Sequence, residues 1–293
     1  MREQLVVFFT RLARRVVDVR DVVPATGGSI QPAWHVTLKD GTRVFVKAGS
    51  PDEMTRLKAE ARGLEALRGT GTVRVPHTWL VGGEGRFSYL VLEHLDLKPG
   101  TRADYARMGR ELAQLHRSSG SDFGFERDNF IGATPQINRA HPSWPEFFRE
   151  QRLKPQLARI AAGPHAGMWV EGGLRLAEAT PAFFPGYAPQ PSLLHGDLWH
   201  GNAGFLADGT PVLYDPAVYY GDREADLAMS DLFGGFNPDF RAAYQEAWPL
   251  DPGFKVRADF YNLYHVLNHV NLFGGTYVGQ AQGLIRRLLA EIR

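Results

Sequence analysis

The 293-residue sequence predicts a two-lobed α+β fold, with a small β-rich lobe over 1–95 and a larger, mainly helical lobe over 96–293. Three features carry that reading. Asp40-Gly41 and Asp208-Gly209 each stand between apolar runs, a strong hairpin signal because the two-residue type I′ turn needs φ > 0 at both central positions. Tyr89-Leu90-Val91-Leu92 is continuously apolar, as in a strand covered on both faces. Past the Lys98-Pro99-Gly100 break, the spacing of apolar residues becomes helical from Thr101 onward.

Taken in order, Leu5-Val6-Val7-Phe8-Phe9 runs into Arg11-Leu12-Ala13-Arg14-Arg15 and predicts an amphipathic first helix rather than a signal peptide. Gly27-Gly28-Ser29-Ile30 then precedes a hairpin of strands 34–38 and 43–47, with Val44 and Val46 on one face and Phe45 and Lys47 on the other. Pro51 opens a helix with Asp52 and Glu53 in its first turn, where the macrodipole favours acids. Met54, Leu57, Ala61, Leu64 and Leu67 form its apolar stripe, and Gly69-Thr70-Gly71 ends it. Strands are expected at 73–75, 78–81 and 87–93. The second lobe is mostly helical, interrupted by a Pro- and Gly-rich stretch at 163–191 and by a strand-rich segment beyond it.

With 33 basic and 32 acidic residues the formal net charge is +1, so the chain carries no electrostatic footprint for nucleic acid. No apolar run approaches the length that spans a bilayer, and a membrane is not expected as a partner. The lack of cysteine excludes disulfides, thiolate zinc sites and cysteine catalysis, and it fits a cytoplasmic protein.

Chemistry concentrates in His195-Gly196-Asp197-Leu198-Trp199-His200-Gly201-Asn202 and, across the second hairpin, Asp215-Pro216-Ala217. If Asp208-Gly209 is the turn, Asn202 and Asp215 each stand six residues from it and face each other. Two oxygen ligands opposed on neighbouring strands suit a hard divalent ion shared with substrate phosphates. Asp197 is then placed to take a proton from an acceptor hydroxyl. A satisfied polar turn is the alternative, and all three parts at this spacing favour the functional reading over it. The set resembles the catalytic loop and metal-binding Asp of the protein-kinase-like phosphotransferases. His195 is expected to orient the loop by hydrogen bonding, and Asp226 either braces it from a helix start or is an ordinary first-turn acid.

That resemblance draws in further candidates. Gly27, Gly28, Ser29 and Ile30 would bring backbone N–H groups near phosphates, although they form neither a full G-x-G-x-x-G nor a Walker A sequence. Lys47, in Phe-Val-Lys at a strand end, resembles the phosphate-pairing lysine of kinases; a solvated strand-end lysine is the alternative. Such a lysine needs an anion, and Glu60 is favoured over Glu53, two turns earlier on a similar face. Glu93-His94-Leu95 stands where kinase-like folds offer main-chain groups to adenine. Trp199 is either a wall for the acceptor or a packing residue. His265, Asn268, His269 and Asn271 share one helical face, expected to present polar groups to the acceptor pocket. No G-x-S-x-G elbow supports a serine hydrolase.

Longer stretches narrow the resemblance. His195–Trp199, Asp215-Pro216-Ala217-Val218-Tyr219-Tyr220-Gly221-Asp222-Arg223-Glu224, Phe233-Gly234-Gly235-Phe236 and Leu263–Gly275 together resemble the fructosamine kinase (ketosamine-3-kinase) family, from Gly27 through Gln280. The resemblance implies ATP and Mg²⁺ in the cleft and Asp197 as base. Asn202 and Asp215 would hold the metal, and Lys47, fixed by Glu60, would clamp the phosphates. It implies transfer of the γ-phosphate to the 3-hydroxyl of a ketosamine, free or on a protein lysine, whose unstable 3-phosphate eliminates and frees the amine. Bacterial members are thought to prefer ribulosamines and erythrulosamines to fructosamines. Some members carry a redox-sensitive cysteine in the glycine-rich loop; Ser29 stands there in this chain. A small-molecule kinase of the aminoglycoside or choline type and an inactive nucleotide-binding module are the alternatives.

Overall fold

The computed structural model describes residues 2–13, 17–25 and 32–292. Helix α1 (Arg2–Ala13) lays Leu5, Phe8 and Phe9 on a five-stranded antiparallel sheet. Its strands are β1 (Val19–Pro24), β2 (Ala33–Leu38), β3 (Arg43–Gly49), β4 (Thr78–Glu84) and β5 (Phe87–Glu93), in the order β1-β2-β3-β5-β4. The strand period of two sends Tyr89 and Val91 of β5 toward α1, and Leu90 and Leu92 toward α2 (Met54–Gly69) on the other face. All four are at most 2% exposed, which accounts for the unbroken apolar run.

Both Asp-Gly hairpins form, but neither uses the expected type I′ turn. Around Asp40-Gly41, Gly41 N–H donates to the Leu38 carbonyl at 3.1 Å and Leu38 N–H to the Thr42 carbonyl at 2.8 Å. The second turn repeats this, with Gly209 N–H to Leu206 at 2.9 Å and Leu206 N–H to Thr210 at 2.9 Å. In each, only the glycine has positive φ, +90° at Gly41 and +82° at Gly209. These are three-residue loops closed by a left-handed glycine.

Two strand expectations are corrected. Edge strand β1 was not anticipated, because Arg20-Asp21 breaks its apolar alternation and a bulge lies between Val19 and Asp21. Residues 73–75 form no strand; Arg74 makes a single bridge to Val212.

Helix α3 (Arg102–His116) starts at Thr101, whose hydroxyl caps Asp104 N–H while the Asp104 carboxylate answers Thr101 N–H. After it come β6 (Asn129–Ile131), β7 (Thr134–Gln136), α4 (Trp144–Phe148), a π-helical turn at Arg149–Leu153, α5 (Lys154–Ala161) and α6 (Trp169–Glu178). Helix α6 lies inside the stretch read as irregular, its Gly172 and Gly173 being buried against Ile285 and Leu157. The site-bearing segment holds β8 (Ser192–Leu194), β9 (Ala203–Phe205), β10 (Pro211–Leu213) and β11 (Tyr219–Gly221). Helices α7 (Glu224–Leu232), α8 (Pro238–Ala247), α9 (Phe254–Phe273) and α10 (Thr276–Glu291) complete the chain. One apolar cluster joins Leu57, Leu64, Leu90 and Leu92 to Met108, Leu112, Leu198 and Phe205, so sheet and helices meet on a shared core beside the site.

Candidate active site

A cavity of about 540 Å³ opens between the sheet and the helical half. Lys47, Glu60, His94 and Leu95 line it from the sheet side, and Asp197, Trp199, Asn202 and Asp215 from the helical side. Gly27, Gly28, Ser29 and Ile30 lie outside the described residues.

The floor of the site begins at Gly196. Its φ is +82°, and a Cβ there would stand 2.1 Å from the Ala217 carbonyl oxygen, so only glycine fits. Strands β8 and β11 pair, and the His195 carbonyl accepts from Ala217 N–H at 2.9 Å. His195 Nε2 donates to the Tyr214 carbonyl at 3.0 Å, while its Nδ1 accepts from Asp197 N–H at 3.3 Å. Burial lowers the His195 pKa and favours the neutral tautomer this pattern needs. The imidazole thus ties the Asp197 loop to the strand that leads into Asp215.

Asp226, in the first turn of α7, accepts from His195 N–H at 2.7 Å, Gly196 N–H at 2.8 Å and His116 Nε2 at 3.1 Å. Burial opposes its charge, but His116 and the backbone donors outweigh burial and hold the carboxyl below its usual range. His116 is fully buried, with Nδ1 2.8 Å from the Tyr244 hydroxyl. Sequence reasoning missed it. The available signal was a histidine closing the apolar stripe of Met108, Leu112 and Leu115, where burial demands partners for both nitrogens.

Asp197 is less well satisfied. Asn202 Nδ2 donates to its Oδ2 at 3.0 Å and to its carbonyl at 2.9 Å. Burial, then the nearby Asp215 charge, push its pKa up to about 7. Such a carboxylate can take up a proton near neutral pH.

The expected opposition of Asn202 and Asp215 is corrected. The three-residue loop shifts the register by one, so Asn202 faces Tyr214, whose N–H reaches the Asn202 carbonyl at 3.0 Å. Asp215 lies one step past the ladder at φ +57°, the one non-glycine with positive φ among the described residues. Its carboxylate meets the Lys47 ammonium.

Lys47 also donates to Glu60 Oε1 at 2.7 Å. Glu53 is engaged elsewhere, accepting from Ser50 N–H at 2.9 Å and pairing with Arg56. Burial works against the Lys47 charge, but Asp215 and Glu60 outweigh it and hold the ammonium well above its ordinary pKa. Burial pushes Glu60 up to about 7, and the Lys47 cation that it shares with Asp215 offsets only part of that.

With its nitrogen committed to Asp197, Asn202 offers its amide oxygen as a ligand, beside the Asp215 carboxylate. Among the described residues no group of three or more His, Cys, Asp or Glu could hold a metal ion. These two ligands therefore fit a Mg²⁺ whose remaining positions are filled by phosphates and water, rather than an all-protein cage.

At the end of β5, Glu93 N–H already donates to the His77 carbonyl at 2.8 Å, and its carboxylate pairs with Arg74 at 2.5 Å. Glu93, His94 and Leu95 all line the cavity. Around them His35 and Phe45 face the cleft, and the His35 and His94 rings lie 5.0 Å apart.

The polar face expected on α9 does not point into the cleft. His265 and Asn268 are buried in the helical core, Asn268 taking a hydrogen bond from Gln156 at 3.3 Å, and Asn271 donates to Gln156 Oε1 at 2.7 Å. None of the three, nor His269, lines the cavity. His269 instead packs among rings, 4.8 Å from Phe233 and 4.8 Å from Tyr277. Trp199 does line the cavity, its indole lying over Gly201 and 5.8 Å edge-on from Phe233.

The family model for fructosamine kinase matches residues 1–291. A probable ketoamine kinase of Synechocystis is 44% identical over 277 residues, 94% of this chain and 91% of that protein. The chloroplastic protein-ribulosamine 3-kinase of Arabidopsis thaliana is 40% identical over 284 residues, 95% of this chain and 86% of that protein. Among solved structures, a provisionally named fructosamine-3-kinase of Haemophilus somnus superposes with a TM-score of 0.89 at 27% identity, covering 98% of this chain and 97% of the other.

Proposed function

Because the chain belongs to the fructosamine kinase family, we propose that it phosphorylates the 3-hydroxyl of ketosamines, ribulosamine and erythrulosamine foremost. It is an ATP-dependent phosphotransferase of protein-kinase-like fold. The observation that carries the reading is the convergence of Lys47, Glu60, Asp197, Asn202 and Asp215 on one cavity. In this reading residues 1–95 form the nucleotide-binding lobe and 96–293 the catalytic and acceptor-binding lobe.

The nucleotide base would lie against His94 and Leu95, and Lys47, steadied by Glu60, would take the phosphates. Asp215 and Asn202 would hold Mg²⁺, which when bound neutralises charge on the phosphates. Asp197 would orient the 3-hydroxyl and accept its proton as the oxygen bonds to the γ-phosphorus and ADP departs. Little covalent work falls to the protein, so positioning and charge neutralisation supply most of the rate. The 3-phosphate would then be lost by β-elimination, and water would hydrolyse the resulting imine to the free amine and a dicarbonyl, which deglycates a protein when the amine is a lysine.

Incubation with ATP-Mg²⁺ and a ribulosamine should give a phosphorylated adduct that decays to free amine, inorganic phosphate and a dicarbonyl, followed by ³¹P NMR and amine release. A kcat/KM for choline or an aminoglycoside above that for every ketosamine would overturn this reading.

A further inference from the structure

Two Phe-Gly-Gly sequences, Phe233-Gly234-Gly235 and Phe273-Gly274-Gly275, close α7 and α9. Both glycine pairs have positive φ, +94° and +73° in the first, +60° and +58° in the second. Each pair ends its helix abruptly just past a phenylalanine. The two helix ends converge on one imidazole: the His269 ring lies 4.8 Å from Phe233 and 5.5 Å from Phe273, with Tyr277 of α10 at 4.8 Å. Phe233 in turn meets Trp199 edge-on at 5.8 Å, and Trp199 lines the active-site cavity two residues beyond Asp197. A continuous strip of ring surface therefore leaves the cleft beside the candidate base and runs outward to Phe273, which is 49% exposed. The rings are only partly buried. Core packing alone does not account for a strip left open to water and joined to the cleft.

We propose that this strip is the subsite for the amine-bearing arm of the acceptor, with the protonated nitrogen of the ketosamine against Trp199 and Phe233 and its aliphatic stem along His269, Phe273 and Tyr277. The inference rests on the ketosamine reading above. In a ketosamine the nitrogen sits on C1, two carbons from the C3 that carries the reacting hydroxyl. Once that hydroxyl is at Asp197, the nitrogen must lie within a few ångströms of it, and Trp199 lines the same cavity two residues on. The nitrogen is a secondary ammonium at neutral pH, and ring faces attract such a cation. His269 suits this role because burial lowers its pKa, so it adds no opposing charge. Its Nδ1 lies 2.8 Å from the His265 carbonyl, which fixes the ring plane. A lysine stem of four methylenes would follow the rings outward and leave the polypeptide at the cavity mouth.

Two acceptors test the assignment: ε-ribulosyl-N-α-acetyl-lysine, whose nitrogen is charged, and its N-ε-acyl analogue, whose nitrogen is neutral. The wild type should favour the charged acceptor by roughly tenfold in kcat/KM. Phe233→Leu should raise KM for the charged acceptor and collapse that preference, leaving kcat and KM for ATP near wild type; Phe233→Tyr should restore it. If the preference survives in Phe233→Leu, or if KM for ATP and for the acceptor rise together, the strip is packing and the proposal fails. A wild type that phosphorylates neither acceptor would remove the functional reading and this inference with it. A wild type active on both without preference would remove the inference alone.

Discussion

Beneath the His195–Asp197 loop, buried charges are answered by donors on several sides; above it, in the cleft, they are not. Asp226 below accepts from three donors, and Glu224 pairs with Arg257 at 2.7 Å and 3.2 Å. Asp222 accepts from Tyr261 at 2.5 Å and Tyr187 at 3.0 Å. In the cleft, Asp197 has one side-chain donor, and Glu60 and Asp215 share Lys47. Asp226 and Asp197 respond oppositely, the first held below the usual range and the second pushed up to about 7, while on the floor burial also pushes Asp222 up and Glu224 to about 7 despite their donors. The lesson is one of role. Asp226, with three donors, fixes the backbone, whereas Asp197, Glu60 and Asp215, left short, are the groups that the proposed phosphates and cation would complete.

The comparison breaks most sharply at Asp215. Asp215→Ala should abolish Mg²⁺-dependent turnover, yet leave Tm close to wild type, since the carboxylate serves the cleft rather than the core. Wild-type turnover at low Mg²⁺ in this variant would place the ion elsewhere. A matched pair sharpens the contrast. Asp197→Asn should lower kcat by about 10² to 10⁴ with ATP binding and stability retained, as for loss of a general base. Asp226→Asn should instead lose about 3 to 5 kcal/mol of stability, because an amide cannot accept the donors that converge there. Chemical denaturation and steady-state kinetics on both variants decide the matter; equal stability losses would erase the distinction between floor and cleft.

The smallest effect concerns acid. Burial depresses the His265 pKa from its ordinary 6.5 to about 3, so the folded protein holds it neutral. A depressed folded pKa contributes stability above the unfolded value and loses it as pH falls from 6.5 toward 3. Removing the group in His265→Gln should flatten the fall in unfolding free energy between pH 7 and pH 5 relative to wild type. Parallel urea-unfolding curves at the two pH values would show that His265 titrates alike in both states.

Much of this molecule was legible in short-range patterns. The β5 run, the helix after Pro51, both Asp-Gly hairpins and the Asp197–Asn202–Asp215 spacing are read within windows of a few residues, because backbone periodicity and turn chemistry are local properties. Which residues face one another is another matter. One extra residue in each hairpin loop, invisible in the Asp-Gly signal, moved Asn202 opposite Tyr214. Glu53 and Glu60 fall on similar sides of one helix, and only the docking of α2 beside β3 selects Glu60 for Lys47.

Helix α9 shows the limit most plainly. Residues 260–268 are all buried, so the helix presents no polar stripe whose phase could reveal the cleft side. His265, Asn268, His269 and Asn271 looked like an acceptor face in sequence, but His265 and Asn268 are buried in the helical core and Asn271 is tied to Gln156. The sequence by itself determined the two-part α+β organisation and the local constellation of carboxylates, since those depend on near neighbours. Tertiary structure alone decided the hairpin register at Asp215, the partner of Lys47, the brace from His116 through Asp226 and the ring strip beside Trp199. Each of these joins residues distant in the chain, whose meeting depends on how whole elements pack.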